Sequence, residues 1–478
     1  MSPCRISAAK AAATRSFRTA PHYTEGLFLS SLRRWIVVAL AGLAGWVLYL
    51  FGLTRCGLLS ADEPRYAAIG RAMAATGDWI TPRLWGQPWF EKPALLYWMT
   101  AAGFKLGLDQ DLAPRLPLAL ASIAFLIFFW CWLRGQFGPR VAWYASAILA
   151  TSVGWLAYSR VAVTDLPLAA CFSACMMLAI SGAAPVAGVF LGLAVLAKGL
   201  VPLVLFLPAV WYFRRQPGRL AWILGVAVLV AAPWYVLVTL RNGTAFLDEF
   251  IVKHHFARFA SGALQHERPF WFYAPVLLAA IFPWIALIVE LFRKSLYRGW
   301  RERLLLAWVV FGFAFFSASR NKLPGYLLPL MPALAILLGI ALTQTRRAGW
   351  MMAISGALLG LIPAAADALP QALASGASHA QLQPRYWIVA PAILFGALLW
   401  RLDAVGRRDW AVGAVAGAMT ALVAGVIWVT YPVLDQSVSA RGYWRSHPVT
   451  CSDNKNRGWR YGLDYYAGKV VPDCNHSP

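Results

Sequence analysis

Long apolar runs separated by short polar stretches dominate the chain. They fall near residues 35–53, 115–133, 139–158, 166–182, 184–198, 199–213, 219–240, 271–292, 303–318, 324–342, 348–366, 385–400 and 410–430. Most approach the length of about 20 residues that a helix needs to cross a hydrocarbon core. Inside a bilayer every backbone polar group must be satisfied within the protein, which favours helices. The pattern therefore predicts an all-α integral membrane protein with about thirteen transmembrane helices.

The polar stretches are not equivalent. Arg134 and Arg140, Arg214, Arg215 and Arg219, Arg293, Lys294, Arg298, Arg301 and Arg303, Arg346 and Arg347, and Arg401, Arg407 and Arg408 fall on one side, together with the basic N-terminus. The positive-inside rule makes that side cytoplasmic. The other side receives two long segments, 54–114 and 241–270, and the acids Asp62, Glu63, Asp78, Glu91, Asp109, Asp111, Asp165, Asp248, Glu249 and Glu267. Acids contribute little to orientation, so their gathering points to chemistry or cation binding outside the cytoplasm. Both segments are rich in Trp, Tyr and Phe, which argues for order and, in loops of this length, for function. From Asp62, an early Pro64, a closing Gly77 and Tyr66, Ile69 and Met73 on one face predict an interfacial helix.

This divides the chain into a basic cytoplasmic tail (1–34), a multi-span domain (35–430) and a short outside C-terminal tail (431–478). The first 34 residues have the Arg/Ser-rich composition of a transit peptide. The run after them lacks a clear small-residue cleavage site, so we read a retained first helix.

Composition sharpens this picture. Of 478 residues 60% are hydrophobic and 13% charged, against about 25% charged in soluble domains. The net charge of +23 would suggest nucleic acid in a soluble protein. Here the basic residues sit in short loops with no aromatic-interleaved stripe, which argues against nucleic acid and for membrane lipids as partners. Among seven cysteines, Cys131, Cys171 and Cys175 read as packing residues. Cys451 and Cys474 lie in the outside tail as a disulfide or as two free thiols.

Six stretches carry chemistry-bearing residues. In Asp62-Glu63-Pro64-Arg65-Tyr66, an acid just outside the first span serves as a general base or caps a helix. In Pro88-Trp89-Phe90-Glu91-Lys92-Pro93, a lysine suited to phosphate sits beside an acid suited to a metal or acceptor. The alternative there is an interfacial anchor with a surface ion pair. Asp165, after Arg160 and before Pro167, is an ionisable group at the start of an apolar run, functional or again a cap. Lys198 reads as a snorkelling side chain. His255 and His266, with Glu91, form a candidate metal set, although their spacing matches no standard zinc pattern. The alternative is a loop of headgroup contacts. Arg320 and Lys322 place two cations outside, against the positive-inside trend, which asks for an anionic partner such as a lipid phosphate.

Taken together these motifs resemble a known family. Residues 62–98, DEPRYAAIGRAMAATGDWITPRLWGQPWFEKPALLYW, resemble the signature loop of the lipid A aminoarabinose transferases and their kin among polyprenol-phosphate-sugar glycosyltransferases, relatives of the protein O-mannosyltransferases. VAVTDLPL at 161–168, AKGL at 197–200, HERPFWFYAPVLL at 266–278 and SRNKLPGYLLPLMPAL at 319–334 resemble later motifs in the same order. The likeness covers roughly residues 35–345, and Trp89 stands where the family pattern has Tyr.

The resemblance implies a GT-C-type helical bundle in the bacterial inner membrane with its active site facing the periplasm. The donor would be a sugar on a polyprenyl phosphate, and no organic cofactor would be needed. Asp62 and Asp165 match the family's key acids, Glu91 and Lys92 its acid–cation pair, and Arg65, Tyr66, Lys322 and Tyr326 positions near the donor phosphate. Glu63 and Arg320 join the expected substrate-binding set, and a divalent metal at Glu91, His255 and His266 is compatible with it. The expected reaction is inverting transfer to an envelope acceptor, lipid A or lipopolysaccharide. Protein O-glycosylation and lipid or glycan transport are the alternatives.

Overall fold

The computed structural model describes residues 35–474, apart from 251–267, 377–378, 384, 448 and 454–455. Trp35–Gly45 lies in one compact unit and Trp46 onward in a second. The described part of the first unit is helical and exposes Trp35, Val37, Val38, Leu40 and Leu43.

The second unit is a helical bundle. Among the described residues six helices are long and apolar enough to cross a membrane: Leu112–Phe137, Pro217–Asn242, Pro324–Gln344, Gly349–Ser375, Tyr386–Ala404 and Arg408–Ser437. Pro139–Thr151 and Val153–Ser159 form a further pair bent by 61°. Asp165–Ser181 and Ala184–Lys198 are shorter apolar helices. The runs expected at 199–213 and 271–292 are interrupted. The first breaks into Val201–Leu205 and Leu207–Phe213, each with a proline in its first turn. The second breaks into Tyr273–Ala280 and a 3₁₀ stretch, Trp284–Phe292, that follows Pro283. Proline suits a first turn but cannot continue an existing ladder.

Burial sorts the helices. Met331–Gln344 is buried along nearly its whole length, as is most of Asp165–Ser181. Both are apolar all round, as central helices must be. Outer helices instead present Trp222, Val228, Leu229 and Leu240, or Ile393, Leu394 and Trp400, on their free faces, the surface that lipid would cover. Small residues let backbones approach. A Cβ at Gly339 would lie 2.8 Å from that of Ala145, and one at Gly192 would lie 2.8 Å from the Ala227 carbonyl oxygen. Close approach of this kind supplies packing between membrane helices.

The Asp62 helix runs Asp62–Thr76 and ends at Gly77 in the left-handed conformation, as its sequence predicts. Its setting differs from an interfacial helix with one wet face. Most of its residues are buried, because the Leu95–Lys105 and Arg457–Ala467 helices pack against it. Sheet structure among the described residues is one two-stranded hairpin, Arg83–Leu84 with Gln87–Pro88, antiparallel. Its two-residue turn holds Trp85 at φ 52 and Gly86 at φ 83. Positive φ at both central positions is the turn that suits strand twist, and it costs energy at a non-glycine residue.

Candidate active site

Asp62 and Glu63 are neighbours in sequence with opposite fates. Neither caps the helix with its side chain; Ala61 is the N-cap. Asp62 is 41% exposed and accepts from Arg65 Nη2. Glu63 is fully buried. Its Oε1 accepts from Arg115 Nε at 2.7 Å and from the Ala162 amide at 3.0 Å. Its Oε2 accepts from Arg115 Nη2 and the Leu59 amide, each at 2.8 Å. These four bonds fill its acceptor sites, so Glu63, expected to bind substrate, is occupied by contacts within the protein.

Arg65 joins the first two motifs. Its Nε donates to the Ala61 carbonyl at 3.0 Å, its Nη1 to Glu91 Oε2 at 3.0 Å, and its Nη2 to Asp62. Lys92 Nζ donates to the other oxygen of Glu91 at 3.0 Å. Burial opposes the charge on Arg65, but Glu91, Tyr66 and Asp62 outweigh it and hold the guanidinium more firmly charged. Two acids and two cations thus form one chain, Asp62–Arg65–Glu91–Lys92. The Glu91–Lys92 pair is not a solvated surface contact, since both side chains are largely buried. Trp89 flanks the group, with Arg65 Cζ 5.5 Å from its ring centroid. Its indole N–H is buried with no hydrogen-bond partner among the described residues. The Tyr66 ring is buried, edge-on to Tyr97 at 5.8 Å, with Arg65 Cζ 5.7 Å from its centroid.

A second acid–cation pair comes from the centre of the bundle. Asp165 begins its helix without capping it. Its Oδ1 accepts from Lys198 Nζ at 2.6 Å, and that ammonium also lies 4.6 Å from the Tyr326 ring centroid. Lys198, read from sequence as snorkelling, is therefore the partner of Asp165. Gly325 is tucked between Tyr158 and Asp165. A Cβ there would lie 2.6 Å from Tyr158 Cε1 and 2.7 Å from Asp165 Oδ1.

The 319–323 stretch contributes differently from expectation. Lys322 is buried, and its ammonium donates to the carbonyls of Arg268 (3.1 Å) and Ser319. Burial pushes it below the ordinary lysine value. Arg320 is exposed. Tyr326 reaches Lys198. His255 and His266 lie outside the described residues. No group of three or more His, Cys, Asp or Glu among the described residues is arranged to hold a metal. Glu91, the described member of the expected metal set, takes Arg65 and Lys92 as its partners.

Sequence reasoning also missed the C-terminal segment. Cys451 and Cys474 form a disulfide. The Arg457–Ala467 helix they enclose packs on the Asp62 helix, with Tyr461 5.2 Å from Arg65.

Known proteins resemble this chain in sequence and in fold. A family model described as dolichyl-phosphate-mannose-protein mannosyltransferase matches residues 91–241. The undecaprenyl phosphate-alpha-4-amino-4-deoxy-L-arabinose arabinosyl transferase of Aeromonas salmonicida is 32% identical over 418 residues, covering 80% of this chain and 74% of that protein. The Pseudomonas aeruginosa PAO1 protein of the same name is 33% identical over 422 residues, covering 80% and 73%. With the Pseudomonas fluorescens protein named as transferase 2, the match spans 57% of the relative's length at 35% identity. The crystal structure of ArnT from Cupriavidus metallidurans bound to undecaprenyl phosphate superposes with a TM-score of 0.68 at 25% identity, covering 92% of this chain and 90% of that one. The chain belongs to the undecaprenyl phosphate-alpha-4-amino-4-deoxy-L-arabinose arabinosyl transferase family.

Proposed function

We propose that this protein transfers a 4-amino-4-deoxy-arabinose-type sugar from undecaprenyl phosphate to lipid A at the periplasmic face of the inner membrane. The observation that carries the proposal is the Asp62–Arg65–Glu91–Lys92 chain, with Asp165–Lys198 as a second acid–cation pair, in a member of this family. An acid–cation arrangement of this kind suits displacement of a phosphate.

In the proposed reaction an acceptor oxygen on lipid A attacks the anomeric carbon. The bond from that carbon to the carrier's phosphate oxygen breaks, and its electron pair leaves with the phosphate. Attack opposite the leaving group inverts the anomeric centre. Asp62 orients the acceptor and takes its proton if the acceptor is a hydroxyl. Arg65 and Lys92 receive the charge on the departing phosphate, and Lys198 supports it from the Asp165 side. The buried indole N–H of Trp89 supplies a donor for a sugar oxygen. No organic cofactor is needed, and no step passes through a metal. About thirteen spans, with the C-terminal segment periplasmic, complete the proposed topology, in which both acids face the side where lipid A would meet its donor.

The test is mass spectrometry of lipid A, whole lipopolysaccharide and envelope proteins from a deletion strain complemented with wild type or Asp62→Asn. The expected result is a sugar-sized mass on lipid A that wild type restores and Asp62→Asn does not. The same mass on protein would reassign the acceptor. Unchanged pools with lipid-linked sugar shifted between leaflets would replace transfer with transport.

A further inference from the structure

Residues 438–474 fold back onto the first outside segment through polar contacts far apart in sequence. Arg441 donates to Asp111 and Asp435, each within 2.9 Å, and to the Thr54 carbonyl. The Tyr466 hydroxyl donates to Asp111 at 2.7 Å and accepts from the Leu58 amide at 2.8 Å. Arg71, on the Asp62 helix, donates to the Tyr465 carbonyl at 2.9 Å. The Arg457–Ala467 helix is thereby laid along the Asp62–Thr76 helix. Asn456 caps its start, and its end is followed by the Asp464 carboxylate's bond to the Val471 amide. The Cys451–Cys474 disulfide and the Arg460–Asp473 pair close the segment around it.

One turn into that helix, the half-buried Tyr461 ring sits 5.2 Å from Arg65 Cζ and 5.5 Å from Arg457 Cζ. Both distances lie inside the range of about 6 Å in which a ring attracts a cation. A guanidinium has five N–H donors, all in its plane. Arg65 directs one each from Nε, Nη1 and Nη2 to Ala61, Glu91 and Asp62. An aromatic ring attracts the cation through its π face, so it can hold Arg65 without consuming the two donors left over.

We propose that Tyr461 is a positioning residue for the donor phosphate. Its ring fixes the Arg65 guanidinium so that the two remaining N–H groups meet the phosphate oxygens. The C-terminal helix is then a wall of the active site. This rests on the reading of Arg65 as a donor-phosphate group.

The test uses the purified full chain in detergent as wild type, Tyr461→Phe and Tyr461→Leu. Binding of undecaprenyl phosphate alone, transfer kinetics and the unfolding temperature are measured. Tyr461→Leu is expected to raise the Kd for undecaprenyl phosphate and the donor KM about tenfold, or about 1.4 kcal/mol. Acceptor KM and unfolding temperature should be unchanged, and Tyr461→Phe, which keeps the ring, should match wild type. Equal binding by wild type and Tyr461→Leu would overturn the inference. So would a Phe variant as impaired as Leu, or a Leu variant that melts earlier with both KM values raised together. Wild type that binds no undecaprenyl phosphate would overturn the donor reading itself and this inference with it.

Discussion

Glu63→Gln tests whether the buried acid beside Asp62 is structural. Arg115 has five N–H donors, and all five are used. They go to Glu63 Oε1 and Oε2, to the Leu53 and Cys56 carbonyls from Nη1, and to the Gly57 carbonyl from Nη2. Glu63 in turn accepts from Arg115 and from the Leu59 and Ala162 amides. The pair therefore ties the chain leading to Asp62 to the stretch three residues before Asp165. Glutamine keeps the shape but removes the charge. Its amide N–H₂ must also face at least one of these donors, leaving Arg115 buried against carbonyls alone. Breaking a buried pair from one side costs about 3–5 kcal/mol. The assay is thermal unfolding of the detergent-purified protein, with donor and acceptor kinetics on whatever remains folded. A fall of several degrees is expected, with residual activity falling in step. Replacing both members, Glu63→Leu with Arg115→Leu, should cost less than the sum of the single changes, because no orphaned charge is left. A Glu63→Gln protein that melts like wild type but has a raised donor KM would refute the reasoning and return Glu63 to the substrate.

Two further changes probe the Asp165 group. Lys198→Met leaves Asp165 without its ammonium and should lower kcat about 10²–10³-fold, as loss of a charge-stabilising donor does elsewhere; Lys198→Arg should recover part of this, and a Met variant with normal turnover would remove Lys198 from the site. Gly325→Ala forces a methyl group against Tyr158 and Asp165, so transfer should be lost while the protein still accumulates in the membrane, as read by immunoblot of membrane fractions beside the lipid A assay.

Helix positions were legible because apolar runs of near-spanning length leave the backbone few options. The breaks at 199–213 and 271–292 were less legible, because proline marks both first turns and interruptions. Asp62, Glu91, Lys92 and Asp165 were visible as chemically unusual residues for their positions. Their partners were not. Local reasoning offered capping for Asp62 and Asp165, yet both carboxylates take cations instead. Asp62 and Glu63 could not be ranked from the string, since the turn of one helical residue sends one outward and the other into the core.

By itself the sequence determined a polytopic helical protein, because hydropathy acts locally and bilayer solvation is unforgiving. Only the tertiary structure decided that Arg65 joins Asp62 to Glu91, that Lys198 belongs to Asp165, and that Tyr461, nearly four hundred residues from Arg65, lies against it. Those pairings follow from how buried helices pack, since a charge taken out of water must find its partner wherever the fold brings one within reach.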